Sequence, residues 1–172
     1  MTLGETSSAR VTPSALIGPL MLEAVDVLVS ERWEDAYGND WLRAAHDGYV
    51  RPFGYVHQRE IGLAAKGNKI KGYDHFFVPD AEAGGPQGQR VTATARFHIH
   101  PSVTLTRVDV DSVSLEAPDG ETWLFSAPGQ HVQIGEDVFF ADVSGMRPSE
   151  QLLIEISLPE TTDLRWMLKQ QV

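Results

Sequence analysis

VTATARFHIH, residues 91–100, alternates strictly. Val91, Ala93, Ala95, Phe97 and Ile99 fall in one phase, and Thr92, Thr94, Arg96, His98 and His100 in the other. Successive side chains of a β-strand point to opposite sides of its sheet, so this period of two reads as a strand with one apolar and one polar face. Pro101 has no N–H with which to continue a ladder and ends the strand.

The same signal recurs outward from this segment. Val25, Val27 and Val29 alternate with Asp26, Leu28 and Ser30, and strand patterns follow over Trp41–His46, Val56–Ala64 and Ile70–Val78. Asp47-Gly48 and Gly67-Asn68 read as turns. Val103–Val110, Ser112–Ala117 and Glu121–Ser126 read as a meander, its second turn marked by Pro118-Asp119-Gly120. His131–Ile134, Asp137–Asp142, Gln151–Leu158 and Asp163–Leu168 complete the set. Turn signals spaced by about 8–12 residues favour an all-β, antiparallel β-sandwich of about 10–13 strands with little or no helix. The one helical candidate, Thr12–Leu22, is weakened by Pro13, Gly18 and Pro19. Ala81–Gln89, with three glycines and a proline, reads as a surface loop. The length of 172 residues fits one domain.

Composition narrows the function. With 14 Lys and Arg against 24 Asp and Glu, the net charge is -10. That balance argues against nucleic acid as a partner and mildly against an anionic polysaccharide as a ligand of this domain by itself, since no Lys/Arg cluster supplies a local basic groove. No apolar run reaches the ~20 residues of a membrane helix. The absence of cysteine excludes disulfides, thiolate metal sites and a thiol nucleophile. The opening MTLGETSSAR has neither the charged start nor the apolar core of a signal peptide and reads like the interior of a longer protein.

Three constellations are candidates for chemistry. His98 and His100, at i and i+2, share a strand face and offer two imidazoles to one metal ion. Their alternative is a solvated outer face, and the next carboxylate, Asp109, is too far along for a cupin-like ligand set. His46-Asp47-Gly48-Tyr49 combines an imidazole, a carboxylate and a phenol, a set that supports proton transfer or equally a turn with a packed aromatic. His57 and Arg59 form a polar pair for which Glu60 and neighbouring acids are sufficient partners. Trp33, Trp41, Trp123 and Trp166 suit either a sugar-stacking platform or a core, and the core reading is preferred for most of them. Phosphate loops, nucleophile elbows and His-Glu-x-x-His patterns are absent.

Several segments, in order, resemble one family. They are Thr2–Val11, Ala45-His46-Asp47-Gly48-Tyr49, Phe53–Arg59, Lys71-Gly72-Tyr73-Asp74, Arg96-Phe97-His98-Ile99-His100-Pro101, Trp123-Leu124-Phe125 and Leu164–Leu168. Together they are similar to the C-terminal β-sandwich region of bacterial heparinase II/III-like polysaccharide lyases. The resemblance implies an upstream α/α-toroid domain of the same protein as partner and an acidic polysaccharide as the substrate of the full-length protein. It implies β-elimination: the uronate carboxylate is neutralised, the C5 proton removed and the leaving oxygen protonated. It also implies a zinc ion in the β part of some members.

The family's catalytic asparagine, tyrosine and histidine come mostly from the toroid and its cleft, and none maps onto this sequence. The expectation is therefore no catalytic residue and no cofactor, with a metal at His98/His100 as the minor alternative. His46, Tyr49, Arg96, His98 and His100 are the candidate binding residues. A homodimer through an exposed apolar patch, and a non-catalytic carbohydrate-binding or scaffold role, are the other readings. The periplasm and the cytoplasm are both open.

Overall fold

The structure, a computed structural model, describes residues 1–14, 18–23, 25–79, 88–142 and 145–171. Two antiparallel sheets face each other. The smaller has the order β1 (Thr2–Leu3), β8 (Val91–Ile99), β13 (Gly145–Leu158), β12 (Gln133–Asp142). The larger runs β4 (Val27–Glu34), β5 (Asp40–Tyr49), β6 (Tyr55–Leu63), β7 (Lys69–Phe77), β14 (Asp163–Gln170), β11 (Thr122–Ser126), β10 (Ser112–Glu116), β9 (Thr104–Asp109). The expected sandwich is present.

The alternation of residues 91–100 places the core. Val91, Ala93, Ala95 and Phe97 stand opposite Leu158, Ile156, Ile154 and Leu152 of β13. Small alanines face large β13 side chains, so the layer fills without clash. Leu152, Ile154 and Leu158 are fully buried, each worth about 1.5–3 kcal/mol of apolar burial. From the larger sheet, Phe76, Leu164, Trp166, Phe125 and Val113 close the core. Phe97 reaches across, 4.8 Å from the Phe125 ring centroid and 4.9 Å from that of Trp166.

Four readings change. Thr12–Leu22 is not a helix: its described residues form an antiparallel hairpin of β2 (Arg10–Ser14) and β3 (Gly18–Glu23), with Pro13 opposite Pro19. Proline disrupts a helix interior but is tolerated on an edge ribbon. The helix among the described residues is instead a single turn, α1 (Val50–Phe53), ended by Gly54 at φ 81. Gln133 and Ile134 run on through Asp137–Asp142 as one strand, β12, and His131 and Val132 precede it. Gly135 lies under Leu153, whose Cδ1 would sit 2.7 Å from an added Cβ, and does not form a turn. Asp47-Gly48 is not a hairpin turn either, since β5 runs through it with an irregularity between His46 and Tyr49. A Cβ on Gly48 would come 2.7 Å from the Ser8 carbonyl, so close backbone approach selects glycine there. Gly67, at φ 69, does make the β6–β7 turn. Of the Ala81–Gln89 loop, residues 81–87 lie outside the described residues.

Candidate functional site

Strand β7 points Gly72, Asp74 and Phe76 into the sandwich, and Asp74 is fully buried. An uncompensated carboxylate there costs several kcal/mol. Asp74 is fully engaged. Its Oδ1 accepts from His57 Nε2 at 2.8 Å and from Arg59 Nε at 2.6 Å, and its Oδ2 accepts from Trp166 Nε1 at 3.1 Å. Register brings these donors together, because Arg59 stands opposite Asp74 on β6 and β14 supplies Trp166 two residues from Leu164, the partner of Asp74. Burial alone would raise the Asp74 carboxyl. The hydrogen bonds from His57 and Arg59 and the guanidinium charge outweigh it and hold the group below the usual carboxylate range.

The chain of contacts continues outward from Asp74. His57 Nδ1 lies 3.3 Å from His46 Nε2, and the two residues are cross-strand partners. His46 Nδ1 accepts the Gly48 N–H at 3.2 Å. These contacts fix the protons. His46 Nδ1 faces a donor, so its proton sits on Nε2; His57 Nδ1 must then accept, and His57 donates from Nε2 to Asp74. The result is a one-directional line of donors from Gly48 to Asp74 through two neutral imidazoles. Burial lowers the His46 imidazole from its ordinary value, and Asp47 opposes the shift.

Tyr49, just past the irregularity in β5, is 1% exposed, and its hydroxyl donates to the Met1 carbonyl at 2.7 Å. Its ring centroid is 5.4 Å from that of His46. Burial raises its phenol above the ordinary value.

Of the candidate binding residues, His46 and Tyr49 therefore meet in one cluster. Arg96 secures the N-terminal strand: its Nη1 donates to Thr2 Oγ1 at 2.5 Å and its Nη2 to Glu5 at 3.2 Å. His98, on β8, and His100, one residue past its end, line a separate hollow of ≈ 490 Å³ with Asp137 and Phe139. His98 Nδ1 is 2.5 Å from Asp137 Oδ2, whereas His100 Nδ1 is 2.6 Å from Ser102 Oγ. Among the described residues no group of three His, Asp or Glu is placed to hold a metal ion, so they offer no complete ligand set for zinc. Val138, Phe140 and Met146, all exposed, belong to β12 and β13, of which β13 pairs with β8 and β12 with β13.

Asp74 lies in one of the family-like segments, Lys71–Asp74, but is not among the candidate residues. The signal was present, because it is the one acid in the apolar phase Gly72-Asp74-Phe76. His57 and Arg59 pair with it rather than with Glu60, which points to the opposite face and binds Arg43 at 2.7 Å. Trp166 is core, but Trp33 and Trp41 are not. They stack on each other outside the core cluster, with centroids 6.1 Å apart.

A family model described as heparinase II/III-like, C-terminal, matches residues 1–167. No curated protein matches. Among solved structures, the heparan sulfate lyase HepC from Pedobacter heparinus superimposes with a TM-score of 0.64 at 10% identity, over 83% of this chain and 21% of that one. The heparinase III-BT4657 gene product gives 0.62 at 8% identity, over 83% and 21%. A further heparinase III gives 0.56 at 14% identity, over 86% and 21%. The chain thus corresponds to about a fifth of the length of these lyases.

Proposed function

The chain belongs to the heparinase II/III-like C-terminal family, and from that premise we propose that it is the supporting β domain of a polysaccharide lyase. In the complete protein, uronate-containing chains are cleaved by β-elimination in a cleft to which an upstream domain contributes the acid and base. The present chain does not cleave them alone.

One observation carries this reading: in the cluster of His46, His57, Tyr49 and Asp74, the groups that could move a proton are already engaged by the fold. β-Elimination needs a base that can reach the C5 proton and an acid that can reach the leaving oxygen. The Tyr49 hydroxyl is buried and donates to a backbone carbonyl. Both nitrogens of His57 face protein partners, as do both of His46. Asp74 is out of contact with solvent. An arrangement this closed orients β5, β6, β7 and β14 rather than a substrate. The exposed Val138, Phe140 and Met146 are consistent with a surface that another domain or a second copy covers.

Incubated with heparan sulfate, heparin or alginate, the chain alone is expected to give no increase in the ultraviolet absorbance of unsaturated uronate ends. A signal that grows in proportion to chain concentration, and is lost in Tyr49→Phe, would show that the site is catalytic after all.

A further inference from the structure

Strand pairing brings two distant cations beside a short run of lysines. The chain has only four lysines, Lys66, Lys69, Lys71 and Lys169. Register places Lys69 opposite Lys169, Lys71 opposite Met167 and Tyr73 opposite Arg165. Lys69, Lys71 and Tyr73 are in one phase of β7, opposite to that of Gly72 and Asp74, so these side chains stand on the outer face of the larger sheet. Lys66 sits in the turn that leads into β7. The expectation of no Lys/Arg cluster overlooks the run Lys66–Lys71, and strand pairing sets Lys169 and Arg165 beside it.

Among the described residues, none of Lys69, Lys71, Lys169 and Arg165 forms an ion pair. In a chain of net charge -10, acids to neutralise them are plentiful, yet Arg43 on the same face takes both Glu60 and Glu31. Lys69 and Lys169 are directly opposed, and like charges in that position destabilise a sheet. Folding gains nothing from this placement.

The cations border an aromatic surface. Trp41, Tyr73, Lys71, Arg165, Glu60 and Met167 line a hollow of ≈ 550 Å³. Trp41 lies against Gly62, where a Cβ would come 2.7 Å from its ring. Trp33 stacks beside it at 9°. The Arg165 guanidinium sits 5.4 Å from the Tyr73 ring centroid, and the Tyr73 hydroxyl donates to Asp163.

We infer that this face binds an acidic oligosaccharide. The apolar C–H faces of the sugar rings pack on Trp41 and Tyr73, while carboxylates or sulfates pair with Lys71, Arg165, Lys69 and Lys169. Glu60 supplies an acceptor for sugar hydroxyls. A short hollow with two aromatic walls fits a few sugar rings better than the long phosphate track of a nucleic acid. The site lies on the opposite face of the sheet from Asp74 and His57 and does not depend on whether the chain cleaves glycans.

The test is tryptophan fluorescence and calorimetric titration of the full chain with size-defined heparin and oligogalacturonate fragments at low salt. Both are expected to bind. The double variant Lys71→Glu/Arg165→Glu is expected to weaken binding by about tenfold or more, as loss of charge-assisted contacts does. Lys169→Glu should also weaken it while keeping a Tm at or above that of the parent, because it converts a like-charge pair into an opposite one. Arg107→Glu, the same change of charge as Lys169→Glu but on the distant strand β9, should stay within about twofold. The proposal is overturned if neither fragment binds, if Arg107→Glu weakens binding as much as Lys169→Glu, or if single-stranded DNA of matched charge competes equally well.

Discussion

Asp74→Ala is expected to lower stability by about 3–5 kcal/mol, the range found when one partner of a buried charge pair is removed. The substitution loses little packing. Its effect comes from what is left behind: Arg59 Nε, His57 Nε2 and Trp166 Nε1 all lose their acceptor in the interior. The His57 side chain is 6% exposed, so water cannot substitute there, whereas Arg59, at 32%, is partly resolvated. Asp74→Asn should cost less, because an amide oxygen in place of Oδ1 still accepts from His57 and Arg59, but it loses the charge opposite Arg59 and sets its NH2 against the Trp166 N–H. Urea unfolding separates the cases: the midpoint falls in the order parent, Asn, Ala with little change in slope. An Asp74→Ala variant as stable as the parent would mean that the buried network does not hold the larger sheet together.

Gly72→Ala is expected to cost about 3 kcal/mol, at the upper end of what overpacking a core does. The added Cβ would lie 1.9 Å from Cε2 and 2.0 Å from Cζ2 of Trp166. The indole cannot simply step aside. It is bonded to Asp74, meets Phe97 edge-on at 4.9 Å and stacks with Phe125 at 6.2 Å. Trp166→Ala is itself expected to cost about 3–5 kcal/mol. In that background, however, Gly72→Ala should be nearly neutral, since the space it needs is already open. A coupling of more than about 2 kcal/mol in the double-mutant cycle is the expected signature. Additive costs would show that Gly72 is selected for some reason other than the indole lying on it.

The sandwich was legible because alternation is written residue by residue. Residues 91–100 carry it without interruption, and their partners Leu152, Ile154, Ile156 and Leu158 repeat it in β13. Glycine misled the reading where it serves packing rather than turning. Gly135 beneath Leu153 looks like a strand break, and Gly48 beside Ser8 looks like a hairpin tip. Local sequence does not show which side chain lies above a glycine.

The candidate site was half legible. His46 and Tyr49 stand close together in the chain and in space. Asp74, His57 and Trp166 come from three strands, and only the β5–β6–β7–β14 register unites them. The lysine face was hidden for the same reason, since Lys69 and Lys169 are neighbours only through strand pairing.

The functional reading turns on His46 and His57 being held by the fold as neutral donors. The linkage has a definite sign. The His46 imidazole is held below its ordinary 6.5 in the folded chain. As pH falls, the unfolded chain takes up that proton first. The stabilisation is therefore full above about 6.5 and lost as pH falls toward the lowered folded value. Nitrogen NMR of the imidazoles at neutral pH tests the arrangement most directly. Both histidines are expected to carry their proton on Nε2 with Nδ1 bare, and to keep that pattern when acidic oligosaccharide is added. A doubly protonated His57, a proton on His46 Nδ1, or a tautomer change on adding the glycan would contradict it and mark the cluster as a working acid–base site.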